Sequence, residues 1–202
     1  MQFIYVMDPM CSWCWAFAPV IKSLKAQYPG IPISLLMGGL APDSDQPMPR
    51  EMQLGLQQTW KHIEQHTATS FNHGFWSQCQ PRRSTYPACR AVLAAGQIEP
   101  DSSEAMIEAI QRAYYLQARN PSDSETLCEL AGEIGLDEVL FSEALTSEVT
   151  EQQLQAQLAL KERWQINGFP TLLLAEEDTL KIVTAGYCDW ETLEARLRQM
   201  GI

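Results

Sequence analysis

Every stretch with strand character in this chain lies before residue 38 or after residue 170, and what separates the two ends reads as helix. Phe3-Ile4-Tyr5-Val6-Met7 and Ile33-Ser34-Leu35-Leu36-Met37 are short runs rich in β-formers, closed by Asp8-Pro9 and Gly38-Gly39. Thr171–Ala175 and Lys181–Ala185, with a turn at Glu176-Glu177-Asp178, predict a hairpin. Two strands alone are marginal in water. The simplest fold therefore unites both ends in one α/β domain, residues 1–45 and 167–202, split by an all-helical insertion over residues 46–166.

Helical periodicity supports that division. Phe17, Ile21, Leu24 and Tyr28 form one apolar stripe before Pro29-Gly30, and Ala41–Pro49, with three prolines and two aspartates, reads as a linker. Further stripes are Met52, Leu56, Trp60 and Ile63, then Leu127, Leu130, Ala131 and Ile134 ahead of a stop at Gly135. Asp101 with Glu104 and Ser122 with Glu125 fit the capping box. A helix is expected from about Ser147 to Gln165, and Asp189 is placed to cap a last one that buries Leu193, Leu197 and Met200.

Composition narrows the function classes. A 202-residue chain that is 46% hydrophobic and 19% charged can build a core, which excludes collagen-like, coiled-coil and disordered classes. No run approaches the ~18 apolar residues of a membrane helix. The net charge of −11 argues against nucleic acid as a partner. The excess is local, since residues 99–155 hold 13 acids and two bases, and it is read as a solvated helical surface rather than a docking face. Six cysteines suit a secreted disulfide scaffold only in chains below ~100 residues. The opening Met1–Asp8 has no basic region, long apolar stretch or small-residue cleavage site. The expectation is a cytoplasmic protein with reduced thiols, off the membrane.

The chemistry concentrates at Cys11-Ser12-Trp13-Cys14, between the first strand and the first helix. Two spacers at a helix start let the thiols approach each other, and the open amides and partial positive charge there stabilise a thiolate. On this reading Cys11 is the exposed nucleophile, and Cys14, one turn inside, resolves the mixed disulfide. A zinc half-site and a structural pair are the competing readings. Structural zinc wants a second ligand pair, and Cys79, Cys89, Cys128 and Cys188 contain no second Cys-x-x-Cys. Gly168-Phe169-Pro170-Thr171, ahead of a strand, holds a proline with access to the cis form. Pro19 removes the amide that would pair with the Trp15 carbonyl and is expected to bend the first helix.

Together these three features resemble the thioredoxin superfamily, and the large helical block is similar to that of DsbA-type thiol–disulfide oxidoreductases. Asp8-x-x-Cys11-x-Trp13-Cys14-Trp15 resembles the branch that lacks a leader peptide, which includes kappa-class glutathione transferases and 2-hydroxychromene-2-carboxylate isomerases. The resemblance implies a thioredoxin-like α/β fold with a helical insertion and a thiol–disulfide oxidoreductase or protein disulfide isomerase activity. It implies protein or small-molecule disulfides as substrates, recycling by glutathione or thioredoxin, and neither metal nor cofactor. Cys11 corresponds to the attacking cysteine, Cys14 to the resolving one and Pro170 to the family's cis-proline, with the Phe169 backbone pairing to substrate. Two positions depart from the superfamily. Tyr5 stands where thioredoxins carry a buried acid, which leaves Asp8 as the candidate proton acceptor, and Phe169 replaces a smaller Thr or Val. A glutathione-dependent transferase or isomerase is the alternative, but those relatives generally carry serine at the Cys11 position.

Other signals are given their plainer meaning. His62 and His66 flank Glu64 at a spacing that fits no metalloprotease motif and read as solvated side chains. Arg82-Arg83 reads as loop surface rather than an anion site. Trp15, Phe17, Trp60, Phe71, Phe75, Trp76 and Trp164 are assigned mostly to the core. Trp13 is the exception: held between two thiols that face the active surface, it is expected half-exposed and near substrate.

Overall fold

The computed structural model describes residues 1–177 and 179–202. Four strands form one sheet: β1 (Gln2–Met7), β2 (Ile33–Met37), β3 (Thr171–Glu176) and β4 (Thr179–Ala185), in the order β2-β1-β3-β4. β1 is parallel to β2, in register from Phe3 opposite Ile33 to Met7 opposite Met37, and antiparallel to β3. β3 and β4 pair as the hairpin the sequence predicts, with a register shift at Leu172/Leu173. Their expected turn falls in part on Asp178, outside the described residues. As an interior strand β1 buries both faces: Phe3, Tyr5 and Met7 enter the main core, while Ile4 and Val6 enter a smaller one with Leu36, Ile166 and Leu173.

Helix α1 (Ser12–Gln27) crosses from β1 to β2 and runs on through Pro19 without interruption. Then come α2 (Arg50–His66), α3 (Phe75–Gln78), α4 (Tyr86–Ile98), α5 (Ser102–Leu116), α6 (Ser124–Glu133), α7 (Glu138–Leu145) and α8 (Glu148–Arg163), with α9 (Trp190–Gln199) after the hairpin. Ser147 caps α8 by accepting from the Thr150 amide, and Asp189 caps α9 by accepting from that of Thr192. Gly135, at φ 91°, follows α6 as the expected stop.

The two capping boxes are not formed. Asp101 precedes α5 but has helical backbone angles, so its side chain does not turn back onto the first-turn amides. α6 starts after Asp123 rather than Ser122, because tertiary partners claim both side chains. The Ser122 hydroxyl donates to the Ser84 carbonyl at 2.7 Å, and the Asp123 carboxylate accepts from Arg82 at 2.6 Å. That ion pair offsets the Arg82 charge.

One buried cluster runs through both parts of the sequence, joining Phe3, Phe17, Leu24, Leu172 and Leu193 to Trp60, Ile110, Tyr115, Leu127, Phe141 and Leu154. Trp60 is its aromatic hub, against Phe71, Phe75, Trp76, Tyr114 and Tyr115 at centroid distances of 4.8–6.0 Å. Among the described residues no helix is long and apolar enough to cross a membrane.

Candidate active site

The site forms where β1 ends and α1 begins. Cys11 is the N-cap of α1, in extended backbone geometry, with its amide donating to the Asp8 carbonyl at 3.0 Å. All six cysteines are free thiols. No cap hydrogen bond forms to the neutral Cys11 sulfur, so the first-turn amides remain open toward it. The Cys14 thiol, one turn on, reaches back to Cys11; this contact, followed by the Cys14 and Trp13 amides, lowers the Cys11 pKa despite burial. Cys14 moves the opposite way, well above the ordinary thiol range, first through burial and then through its neighbour. Of the two, Cys11 is therefore the sulfur that ionises first.

Cys11 is not as open as the sequence reading expects. Only 8% of its surface is accessible, against none for Cys14. The Phe169–Pro170 segment accounts for the cover: the Cys11 thiol points at the Phe169 carbonyl oxygen 3.8 Å away, and the peptide between Phe169 and Pro170 is cis. Phe169 in turn lies against Gly38 at the end of β2, its ring occupying the space a Cβ would need. Trp13 is half-buried, as expected, with Tyr187 on one side at 5.4 Å and His62 of α2 on the other at 5.9 Å. His62 is exposed, as the sequence reading has it; the edge of its ring also meets Trp13, a contact that no local pattern announces.

Asp8 lies directly beneath. Its carboxylate is fully buried and accepts from the Met10 amide at 2.8 Å, the Leu40 amide at 2.6 Å and the Thr85 hydroxyl at 2.6 Å, with the Cys89 thiol at 3.6 Å. Burial raises its pKa, and these four donors partly offset that rise. Among the described residues none of its hydrogen bonds goes to Cys11 or Cys14. The structure places Asp8 as a tie between the β1–α1 turn, the segment after β2 and helix α4; its carboxylate acts on the two thiols through space, while its backbone amide favours a Cys14 anion. Of the other cysteines, Cys79 donates to the Ala118 carbonyl at 2.9 Å. Among the described residues no three His, Cys, Asp or Glu side chains converge as a metal site.

The family described as DSBA-like thioredoxin domain aligns with residues 3–198, nearly the whole chain. The chain belongs to this family. A DsbA-like protein from Nitrosomonas europaea, provisionally named a protein disulfide isomerase, superposes with a TM-score of 0.88 at 29% identity, covering 98% of this chain and 96% of its own. The cytosolic disulfide reductase DsbM from Pseudomonas aeruginosa superposes with a TM-score of 0.81 at 25% identity, covering 99% and 98%. The ClpXP adapter protein SpxH of Bacillus subtilis is 27% identical over 187 residues. That match takes in 90% of this chain but 62% of SpxH, so the chain spans about three-fifths of that relative's length. The thioredoxin-like DsbA fold, with its mixed sheet and many helices, is therefore shared with these two solved structures.

Proposed function

We propose that the chain is a thiol–disulfide oxidoreductase exchanging disulfides through Cys11-Ser12-Trp13-Cys14, with a protein or small-molecule disulfide as substrate. The observation that carries this reading is the asymmetry of the pair: the Cys11 thiol, at a helix start, has its pKa lowered, while fully buried Cys14 holds its proton. The Cys11 thiolate attacks a substrate disulfide R–S–S–R′, forming Cys11–S–S–R and releasing R′S⁻, which takes a proton from solvent. Cys14 then loses its proton, its thiolate attacks the Cys11 sulfur, and RS⁻ leaves. The protein ends as the Cys11–Cys14 disulfide, and an external pool such as glutathione or thioredoxin returns it to the dithiol.

Phe169 and Pro170 supply the ledge against which an extended substrate lies, with the Phe169 carbonyl beside the attacking sulfur. Trp13 offers an aromatic face next to it. The cytosolic disulfide reductase DsbM supports a cytoplasmic location and a reductive direction for this chain. No resident metal or cofactor takes part in the proposed exchange.

Insulin reduction driven by glutathione or dithiothreitol tests the proposal. Cys11→Ser should abolish turnover, and Cys14→Ser should accumulate a Cys11 mixed disulfide visible by mass spectrometry. Wild-type activity in Cys11→Ser would sink it. Electrophile conjugation by Cys14→Ser at wild-type rate would instead establish the glutathione transferase reading. A role like that of the SpxH relatives, as a protease adapter, would survive both substitutions.

A further inference from the structure

Cys14 has a problem that the exchange reaction makes acute. Resolution requires its sulfur to become an anion in a place with no accessible surface. A buried anion without donors is costly. Helix α1 gives its open amides to Cys11; the Asp8 backbone amide favours a Cys14 anion, but burial, Cys11 and the Asp8 carboxylate outweigh it and hold the thiol well up.

Across from Cys14 stands Tyr5. It is the middle residue of β1, fixed by pairing with Leu35 on one side and Leu172 on the other, and its ring packs on Phe17 at 5.9 Å. Only 4% of the residue is exposed, yet its hydroxyl has no hydrogen-bond partner among the described residues. An unpaired buried hydroxyl weakens a fold, and Phe at this position would remove the penalty. Tyr5 and Cys14 line the same cavity of about 960 Å3 beside α1.

We propose that the Tyr5 hydroxyl is the hydrogen-bond donor for the Cys14 thiolate during resolution of the mixed disulfide. In the dithiol state the phenol waits without a partner; when Cys14 ionises, it gains an acceptor, and such charge-assisted bonds are stronger than neutral ones. Burial and the nearby Cys14 charge push the Tyr5 pKa well up, so the phenol keeps its proton and serves as donor, not base. The Cys14 proton therefore goes to solvent, and the electron pair it leaves forms the bond to the Cys11 sulfur as the substrate thiolate departs.

This inference rests on the proposed exchange reaction and deepens it, so its test follows the two steps separately. Reduced protein is mixed with glutathione disulfide, quenched with acid at intervals and weighed intact. Capture appears as the Cys11–glutathione adduct; resolution appears as its conversion to the internal disulfide. Tyr5→Phe should slow resolution about tenfold or more at neutral pH, leave capture within about twofold, and melt at the same temperature as wild type or higher. Tyr115→Phe removes another buried, unpartnered hydroxyl that also feels the two thiols but does not line the cavity shared by Tyr5 and Cys14, and should leave both steps within about twofold. Unchanged resolution in Tyr5→Phe, or equal slowing by Tyr115→Phe, overturns the assignment while leaving the exchange reaction standing. A wild-type protein that forms no adduct and no internal disulfide overturns both.

Discussion

Asp8 shows how much one side chain can hold. Its four partners all donate, an arrangement that suits a carboxylate and no other side chain of that size. Asp8→Asn would turn an amide NH2 toward at least one of these donors, leaving buried groups unpaired. The expected cost is about 2–4 kcal/mol in urea unfolding, with exchange activity falling as the Cys11 turn loosens. A loss below about 0.5 kcal/mol would mean the network carries no weight. At this scale the sequence shows Cys11 and Cys14, because their chemistry depends on a spacing of three. It does not show Thr85, Cys89 or His62. Thr85 and Cys89 reach Asp8 across 77 and 81 positions, and such meetings leave no periodicity to read.

Elements were legible where their signals are local. The strand runs, the Gly135 stop and the Ser147 and Asp189 caps all lie within a few residues of the structure they specify. The capping boxes at Asp101 and Ser122 failed because the same side chains had alternatives, one in its own backbone conformation and the other in the Ser84 carbonyl. The end of β2 gives an element-scale test. Gly38 leaves room for the Phe169 ring, and Phe169 carries the carbonyl facing Cys11. Gly38→Ala must displace that ring and with it the ledge for substrate. Small misplacements near reacting atoms are costly, so insulin reduction should fall roughly threefold to tenfold, while reaction of Cys11 with a small alkylating reagent stays within about twofold. An equal loss in both assays would show that Gly38→Ala had disturbed the thiols rather than the ledge.

The whole molecule is more integrated than its linear division suggests. The strands at the two ends and the helices between them share one buried cluster, and α2 of the helical segment reaches Trp13 through the exposed His62. What the assembly delivers is a place for one negative charge. Because folding lowers the Cys11 pKa, the reduced protein gains from that group as pH rises toward the ordinary thiol value of about 8.5, and loses the gain as pH falls through the folded value. The most direct test is the alkylation rate of each cysteine in the reduced protein as a function of pH, read peptide by peptide by mass spectrometry. Cys11 should reach half its maximal rate below the ordinary thiol range while Cys14 stays inert throughout. Equal rates at both sulfurs with a common midpoint near 8.5, or Cys14 reacting first, would contradict the account.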